Sequence, residues 1–408
     1  DWRTPGLSWC NFGVHRVGNS LMNWNDMRFL IMVAALVPLG YYLFAIIAAL
    51  RFFRERPDVA PEFAPPVSIL KPVRGLDRET YENYASFCRL DYPDYEILFN
   101  VADEHDAAIP VIQKIIQDFP ERSIRLLIGA EQLGTSNKVN KLSRMVEEAR
   151  YDVLVVSDSD IRVSPDYLRS VVAPFHDPKV GAVTCLYRGL AGTTLGSELE
   201  ALGNSSDFDP GVLAAWQLGE VSFTLGATMA TTRRHLAEIG GFEGLVDHFT
   251  DDHELGQRIS AAGYRIKFSR VPVDTVYPSL SMAESFRHQV RWALTIRHSS
   301  PGGHVGLIFT QGLFWALLAS AVARSLPVAT AYLAGYVVLR TAMAWTVGVW
   351  GLKDPLLRRR MWLLPVRDAF AFVVLLQSFL TRRIEWRGVE YYIRGKELVP
   401  VEPRPARG

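Results

Sequence analysis

The sequence predicts an α/β domain around a mostly parallel central sheet, with transmembrane or interfacial helices at its N- and C-terminal ends. Three patterns lead there. From Val67 onward, short aliphatic and β-branched runs alternate with helical stretches, as in successive βαβ units. The run Val153–Val163, VLVVSDSDIRV, has the composition of a strand buried on both faces and stops abruptly at Asp158-Ser159-Asp160. Uncharged stretches near or above the roughly 20 residues that cross a bilayer stand at both ends.

The 408 residues admit one large domain or two ordinary ones. Hydrophobic residues make up 49% of the chain, and the excess is concentrated at its two ends. A net charge of +1 supplies no basic field for nucleic acid, so no nucleic-acid partner is expected. Cys10, Cys88 and Cys185 are odd in number and lack metal-site spacing. They read as free thiols of a reducing compartment.

Residues 1–28 are polar with scattered tryptophans. The uncharged run 29–50, FLIMVAALVPLGYYLFAIIAAL, is long enough to span. It exceeds a signal-peptide core and lacks a small-residue cleavage site, so a retained anchor is expected. Arg51, Arg54 and Arg56 follow it, whereas Arg28 before it is partly offset by Asp26. The positive-inside rule then puts the next domain, residues 57–280, in the cytoplasm. Pro57–Pro66 is a proline-rich spacer.

Strands are expected at 67–71, 95–103, 124–130 and 153–158, with helices at Ile109–Asp118 and Lys138–Glu148 between them. A further strand at 180–187 precedes a helix near Ser197–Leu202, and 223–243 reads as a small-residue strand and then a helix stopped by Gly240-Gly241. The second and fourth strands end in Asp103 and Asp158, on one edge of such a sheet, where open α/β sheets bind ligands. Asp158 and Asp160 can converge on one hard divalent cation, Mg²⁺ or Mn²⁺, shared with substrate phosphates. Capping a turn is the plainer use of the same pair. Asp251-Asp252-His253-Glu254 opens the helix DDHELGQRISAAG, ended by Gly263. Complementing the helix dipole accounts for one of these two aspartates and leaves the other without that task.

Residues 281–300 begin with the amphipathic SMAESFRHQVRWALTIR, suited to a helix in the membrane interface or to a core-facing one. Residues 305–323 and 326–352 are expected to span, with Arg340 mid-span needing a lipid pocket or an internal partner. Residues 361–380 contain Pro365, Arg367 and Asp368 and have basic flanks on both sides. A re-entrant or interfacial segment meets that pattern, and 381–408 is then a cytoplasmic tail.

A membrane-anchored α/β domain with carboxylates at Asp103, Asp158/Asp160 and Asp252 has the parts for sugar transfer from a nucleotide diphosphate. The leaving diphosphate needs neutralising by a metal. A separate carboxylate must take the acceptor's proton.

From Val67 to Gly388 the chain resembles the ceramide glucosyltransferases and their close bacterial relatives, including glycosyltransferases that decorate hopanoids. The resemblance is carried by SILKPVRGLD (68–77), LFNVADEHD (98–106), SNKVNKL (136–142), SDSDIRV (157–163), DDHELGQRI (251–259), RHQVRW (287–292) and WRG (386–388). It implies a GT-A-like nucleotide-sugar-binding domain. Asp103 would contact the nucleotide, Asp158 and Asp160 would hold the metal and diphosphate, and Asp252 would be the base of an inverting single displacement. The implied donor is UDP-glucose, with ceramide as lipid acceptor; the alternative is UDP-N-acetylglucosamine with a hopanoid. The implied setting is a multi-pass protein of the bacterial inner membrane with a cytoplasmic catalytic domain.

The family's (Q/R)xxRW signature appears here as His288-Gln289-Val290-Arg291-Trp292, so the first position departs from the pattern. Arg291 and Trp292 match it, a cation and an aromatic platform suited to diphosphate and acceptor. His288 either donates to a phosphate or is structural. Lys71 and Lys138 fit nucleotide or phosphate contacts by the same match, or are ordinary surface lysines. A processive polysaccharide synthase would need more spanning helices, and a nucleotide-sugar receptor without catalysis would not need Asp252.

Overall fold

The architecture comes from a computed structural model of the 408-residue chain. Residues 23–55, 62–219, 221–248 and 250–381 are described, together with the backbone of three short strands beyond them. Residues 1–22, Cys10 among them, 56–61 and 401–408, and the side chains of 382–400, lie outside the described residues.

Helices α1 (Trp24–Ala34) and α2 (Val37–Arg54) lead in, and α2 carries Ala45, Ala48 and Ala49 on its buried side. The domain then runs β1 (Val67–Pro72), α3 (Thr80–Cys88), β2 (Tyr95–Val101), α4 (Ile109–Asp118), β3 (Ser123–Ile128), α5 (Asn137–Glu148) and β4 (Val153–Val156). It continues through β5 (Ile161–Arg162), α6 (Tyr167–Val172), β6 (Val180–Leu190), α7 (Leu195–Gly203), α8 (Asp209–Leu218), β7 (Met229–Thr232), α9 (Arg233–Glu238), α10 (Asp251–Ala261) and β8 (Arg265–Val276). The sheet order is β3-β2-β1-β4-β7-β6-β8-β5. β1 pairs in parallel with β2 and β4, β2 with β3, and β6 with β8, while β7 and β5 run antiparallel to their neighbours. The mostly parallel sheet expected from the sequence is therefore present. Its central strands are buried along their whole length, as strands covered on both faces must be.

One apolar core lies against α3, α4 and α6 on one face, around Tyr84, Phe87, Phe99, Ile112 and Tyr167. The other gathers Leu142, Met145, Met229, Leu255 and Ile259 beneath α5 and α10. Cys88 and Cys185 are buried free thiols, as expected for two of the three cysteines.

β8, the longest strand, is absent from the sequence reading because charges and Pro272 interrupt its apolar pattern. A register shift opposite Cys185/Tyr187 takes two extra residues out of the ladder, which accommodates the proline. The same bulge lets Arg270 turn onto α2. Its guanidinium lies 3.7 Å from the Phe52 ring centroid and 2.5 Å from Glu55, and it donates to the Phe52 carbonyl.

Beyond the sheet come α11 (Met282–Ser299), α12 (Pro301–Gly306), α13 (Gly312–Val322), α14 (Leu326–Ala344), α15 (Pro355–Arg360) and α16 (Leu364–Leu380). The chain ends in a three-stranded antiparallel sheet of β9 (Arg383–Trp386), β10 (Val389–Arg394) and β11 (Glu397–Pro400). Among the described residues, three helical stretches are long and apolar enough to cross a membrane: Trp24–Arg54, Leu326–Gly351 and Pro355–Leu380. The first and second overlap the segments 29–50 and 326–352 that the sequence reading expects to span.

Two details bear on the remaining apolar segments. The expected span 305–323 is bent by 50° where Pro301–Thr310 meets Gly312–Val322. The segment 361–380 belongs to a helical stretch long enough to cross. Pro365 stands in the first turn of α16, where its missing N–H costs nothing. Arg367 and Asp368 are paired internally: Arg367 Nε lies 2.7 Å from Asp207, and Asp368 receives Arg340 Nη2 at 2.7 Å and Tyr336 at 2.8 Å. Arg340 thus has internal partners, and Ser206 O accepts from it at 2.8 Å. A buried pair of this kind is expensive to break, because removing one partner leaves the other charge uncompensated.

Helix α11 touches the sheet domain at both ends, Ser285 against Glu200 at 3.1 Å and Ser299 against Thr250 at 3.3 Å. Helix α16 runs alongside it, from Phe286–Phe370 to Arg297–Ser378. Both ends of α16 therefore lie on the domain side.

Candidate active site

Parallel pairing places the carboxyl ends of β2, β1 and β4 on one rim. Asp158-Ser159-Asp160 follows β4, and Asp252 enters in the first turn of α10. These two stations meet at Gly226. A Cβ built there would lie 3.2 Å from Asp252 Oδ2 and 3.6 Å from Asp158 Oδ2. Glycine leaves that space clear.

Lys138, on the first turn of α5, reaches into the same gap. Its Nζ is 2.9 Å from Asp158 Oδ1 and 3.1 Å from Asp251 Oδ2. Asp251, which the sequence reading did not single out for a role, thus stands beside these groups. Asp252 Oδ1 accepts the His253 N–H at 2.8 Å, and its carbonyl accepts Thr224 Oγ1 at 2.7 Å. Burial, with repulsion from Asp251, pushes the Asp252 carboxyl up to about 6, against the pull of Lys138. A base with such a value can be ionised near neutrality and still accept a proton.

Lys71 is not the surface lysine that composition alone suggests. It is fully buried, donates to the Asp158 carbonyl at 2.8 Å and lies 3.7 Å from the Phe87 ring centroid. Burial brings its ammonium down to about 7, countered chiefly by Asp158 and Asp160. Its place is beneath the Asp158–Asp160 turn, holding that turn up. Asp77, which closes the SILKPVRGLD motif, accepts from Ser159 Oγ at 2.5 Å. Burial, then Asp158 and Asp77, pushes the Asp160 carboxyl up to about 7.

Asp103 stands on the same rim after β2. It is exposed, and its Oδ1 accepts the His105 N–H at 2.8 Å. No contact joins it to Asp158 or Asp252 among the described hydrogen bonds and ion pairs. Nearby, Asp106 ties the two flanking loops together by accepting from Gly75 and Ala108 at 3.0 and 2.9 Å.

His288, Arg291 and Trp292 lie on α11. His288 Nδ1 meets Glu200, and Trp292 Nε1 lies 3.2 Å from His288 Nε2. The Arg291 guanidinium is 5.7 Å from the Trp292 ring centroid. Glu200, which the sequence reading missed, is an acid among the buried residues of α7, and an acid on an apolar face signals an internal partner. The Tyr277 phenol is raised by burial and then by Glu200, with Asp160 a lesser cause, so it lies between this cluster and the strand-end turn.

The donor set fits a hard divalent cation. Asp77, Asp158, Asp160, Asp251 and Asp252 stand against Lys71 and Lys138, and the ligand atoms these acids offer are all oxygen. Among the described residues no three acidic, histidine or cysteine side chains form a ready-made cage. That arrangement suits an ion whose remaining ligands come from phosphate and water. Asp158 and Asp160 would be the residues to hold such an ion.

The sequence pattern of glycosyl transferase family 21 matches residues 30–399. The chain belongs to this family. Ceramide glucosyltransferase 1 of Caenorhabditis elegans is 26% identical to this family 21 chain over 289 residues, covering 70% of this chain and 60% of that one. The ceramide glucosyltransferase of Gibberella zeae is 31% identical over 174 residues, covering 38% of this chain and 32% of that one. The chain thus spans no more than 60% of the length of either relative. Among solved structures, the mannosyltransferase PcManGT from Pyrobaculum calidifontis, in complex with GDP-Man and Mn²⁺, aligns with a TM-score of 0.50 at 19% identity. That alignment covers 86% of this family 21 chain and 99% of the other, and it supports the GT-A-like fold.

The clearance at Gly226 makes a prediction. Gly226→Ala places a methyl 3.2 Å from Asp252 Oδ2 and displaces that carboxylate by a few tenths of an ångström. Turnover is expected to fall roughly tenfold or more, since small misplacements of a catalytic group are costly, with thermal unfolding nearly unchanged. Parallel kinetics and melting curves check it; full activity would mean that Asp252 needs no such clearance.

Proposed function

We propose that this chain is a membrane-bound, inverting hexosyltransferase that moves glucose from UDP-glucose to the primary hydroxyl of ceramide. The observation that carries the reading is the facing of Asp252 and Asp158 across Gly226, with Lys138 between the stations. Asp252 takes the proton of the acceptor hydroxyl as that oxygen bonds to the anomeric carbon. The bond from that carbon to the diphosphate oxygen breaks in the same step, and its electron pair leaves with UDP. Mg²⁺ or Mn²⁺ held by Asp158 and Asp160 would supply Lewis-acid neutralisation of the diphosphate.

Lys138 is close enough to Asp158 to meet the same phosphates. Lys71 supports the turn from below, and Asp103 lies where the nucleotide end of a donor along this rim would reach. Arg291 and Trp292 form a cation and aromatic pair on the acceptor side. With 57–280 cytoplasmic, α11 and α16 lie in the membrane interface, because both ends of each stay on the domain side.

Purified protein given UDP-glucose, UDP-N-acetylglucosamine, ceramide and a hopanoid polyol together should yield glucosylceramide by lipid mass spectrometry. A glycosylated hopanoid as sole product would replace the acceptor. Absence of any lipid glycoside would end the transferase reading.

A further inference from the structure

One acid in the site region has no part in the transfer chemistry above. Glu200 projects from α7 with a side chain only 2% exposed, against the underside of α11. Its Oε2 accepts from Ser285 Oγ at 3.1 Å, and its Oε1 meets His288 Nδ1. Beyond the imidazole, Trp292 Nε1 lies 3.2 Å from His288 Nε2. An indole N–H can only donate, so Nε2 must carry a lone pair and the ring proton must sit on Nδ1, facing Glu200. The direction of donation is therefore fixed along the row: Trp292 to His288, and His288 to Glu200.

His288 and Trp292 are one helical turn apart on the same face of α11, and Trp292 is 43% exposed. The exposed indole is thus tied to a buried carboxylate through a single ring. Burying a carboxylate with two donors aimed at it is a costly way to join two helices, for which apolar packing serves as well. It is an effective way to select a tautomer and orient a side chain, as carboxylates do behind histidines in metal sites.

We propose that Glu200 is a positioning residue, which fixes His288 as the Nδ1–H tautomer and thereby aims the Trp292 indole as the wall that seats the hydroxyl end of a lipid acceptor. This rests on the lipid-transferase reading above. It gives the histidine in the RHQVRW segment a task that needs no phosphate contact. Glu200 and His288 act through Trp292 and touch no reacting atom.

The full chain in lipid nanodiscs provides two independent tests. In ¹⁵N-histidine NMR, with His288→Leu identifying the resonance, the wild-type ring proton should sit on Nδ1. A proton on Nε2 overturns the proposal, and this measurement needs no turnover. In kinetics, Glu200→Leu and His288→Leu should each lower kcat/KM for ceramide roughly 10- to 100-fold while KM for UDP-glucose stays within about twofold. The double variant should fall no further than the worse single one, because both act through the same indole. Glu200→Gln, which keeps an acceptor oxygen toward the ring, should recover most of the loss. Multiplying losses, or a donor KM that rises in step, would assign Glu200 to general packing and overturn the role. A wild type that glycosylates no lipid defeats the transferase reading instead, and the tautomer result still decides whether Glu200 sets the ring.

Discussion

Asp252→Asn is expected to cut sugar transfer roughly 1,000-fold, the scale of a lost general base, with binding of the UDP-sugar held within about twofold. Asparagine keeps the volume of the side chain and an oxygen to accept the His253 N–H. What it loses is the capacity to receive a proton. The substitution should not disturb the fold, since removing a charge beside Asp251 relieves repulsion rather than adding it. Donor binding by calorimetry and transfer by product mass spectrometry separate the two effects. Near-normal turnover would remove Asp252 from the mechanism and leave Asp251, held by Lys138, as the acid to examine next.

Chelation is the second large effect. Treatment with EDTA should abolish transfer, and added Mn²⁺ or Mg²⁺ should restore it, because the leaving diphosphate otherwise departs into a site crowded with carboxylates. Asp160, pushed up to about 7 by burial and by Asp158 and Asp77, shows how much negative charge this turn holds against Lys71. Asp160→Asn should behave like the chelated enzyme, with the difference that added metal does not rescue it. Activity indifferent to EDTA would leave Lys138, beside Asp158, as the cation to examine next for the diphosphate.

Much of this site is legible in the chain because buried parallel strands announce themselves by unbroken aliphatic runs. VSILK, YEILFNV and VLVV are of that kind, so the acids at their ends could be placed on one rim. The helix opening at Asp251 was equally readable, from its acidic first turn and terminal glycine. The rest was hidden for identifiable reasons. β8 alternates charge with apolar residues and contains a proline, which its bulge absorbs only in the folded pairing. Lys71 reads as a surface residue until its partners, 86 and 87 positions away, are folded over it. Glu200 has no local motif, and its meaning lies in a histidine 88 residues downstream. Charges near Pro365 argued against a long helix at 355–380 because Asp207 and Arg340, which neutralise them, come from other elements.

The contact between Arg270 and α2 has a mechanical meaning. Guanidinium, Phe52 ring and Glu55 join the lead-in helix directly to the longest described strand. If α2 is set in a bilayer, as proposed, the candidate rim would keep one heading relative to the lipid plane. Encounter with an acceptor is then a search in two dimensions by a body that need not reorient, and tumbling drops out of the kinetics.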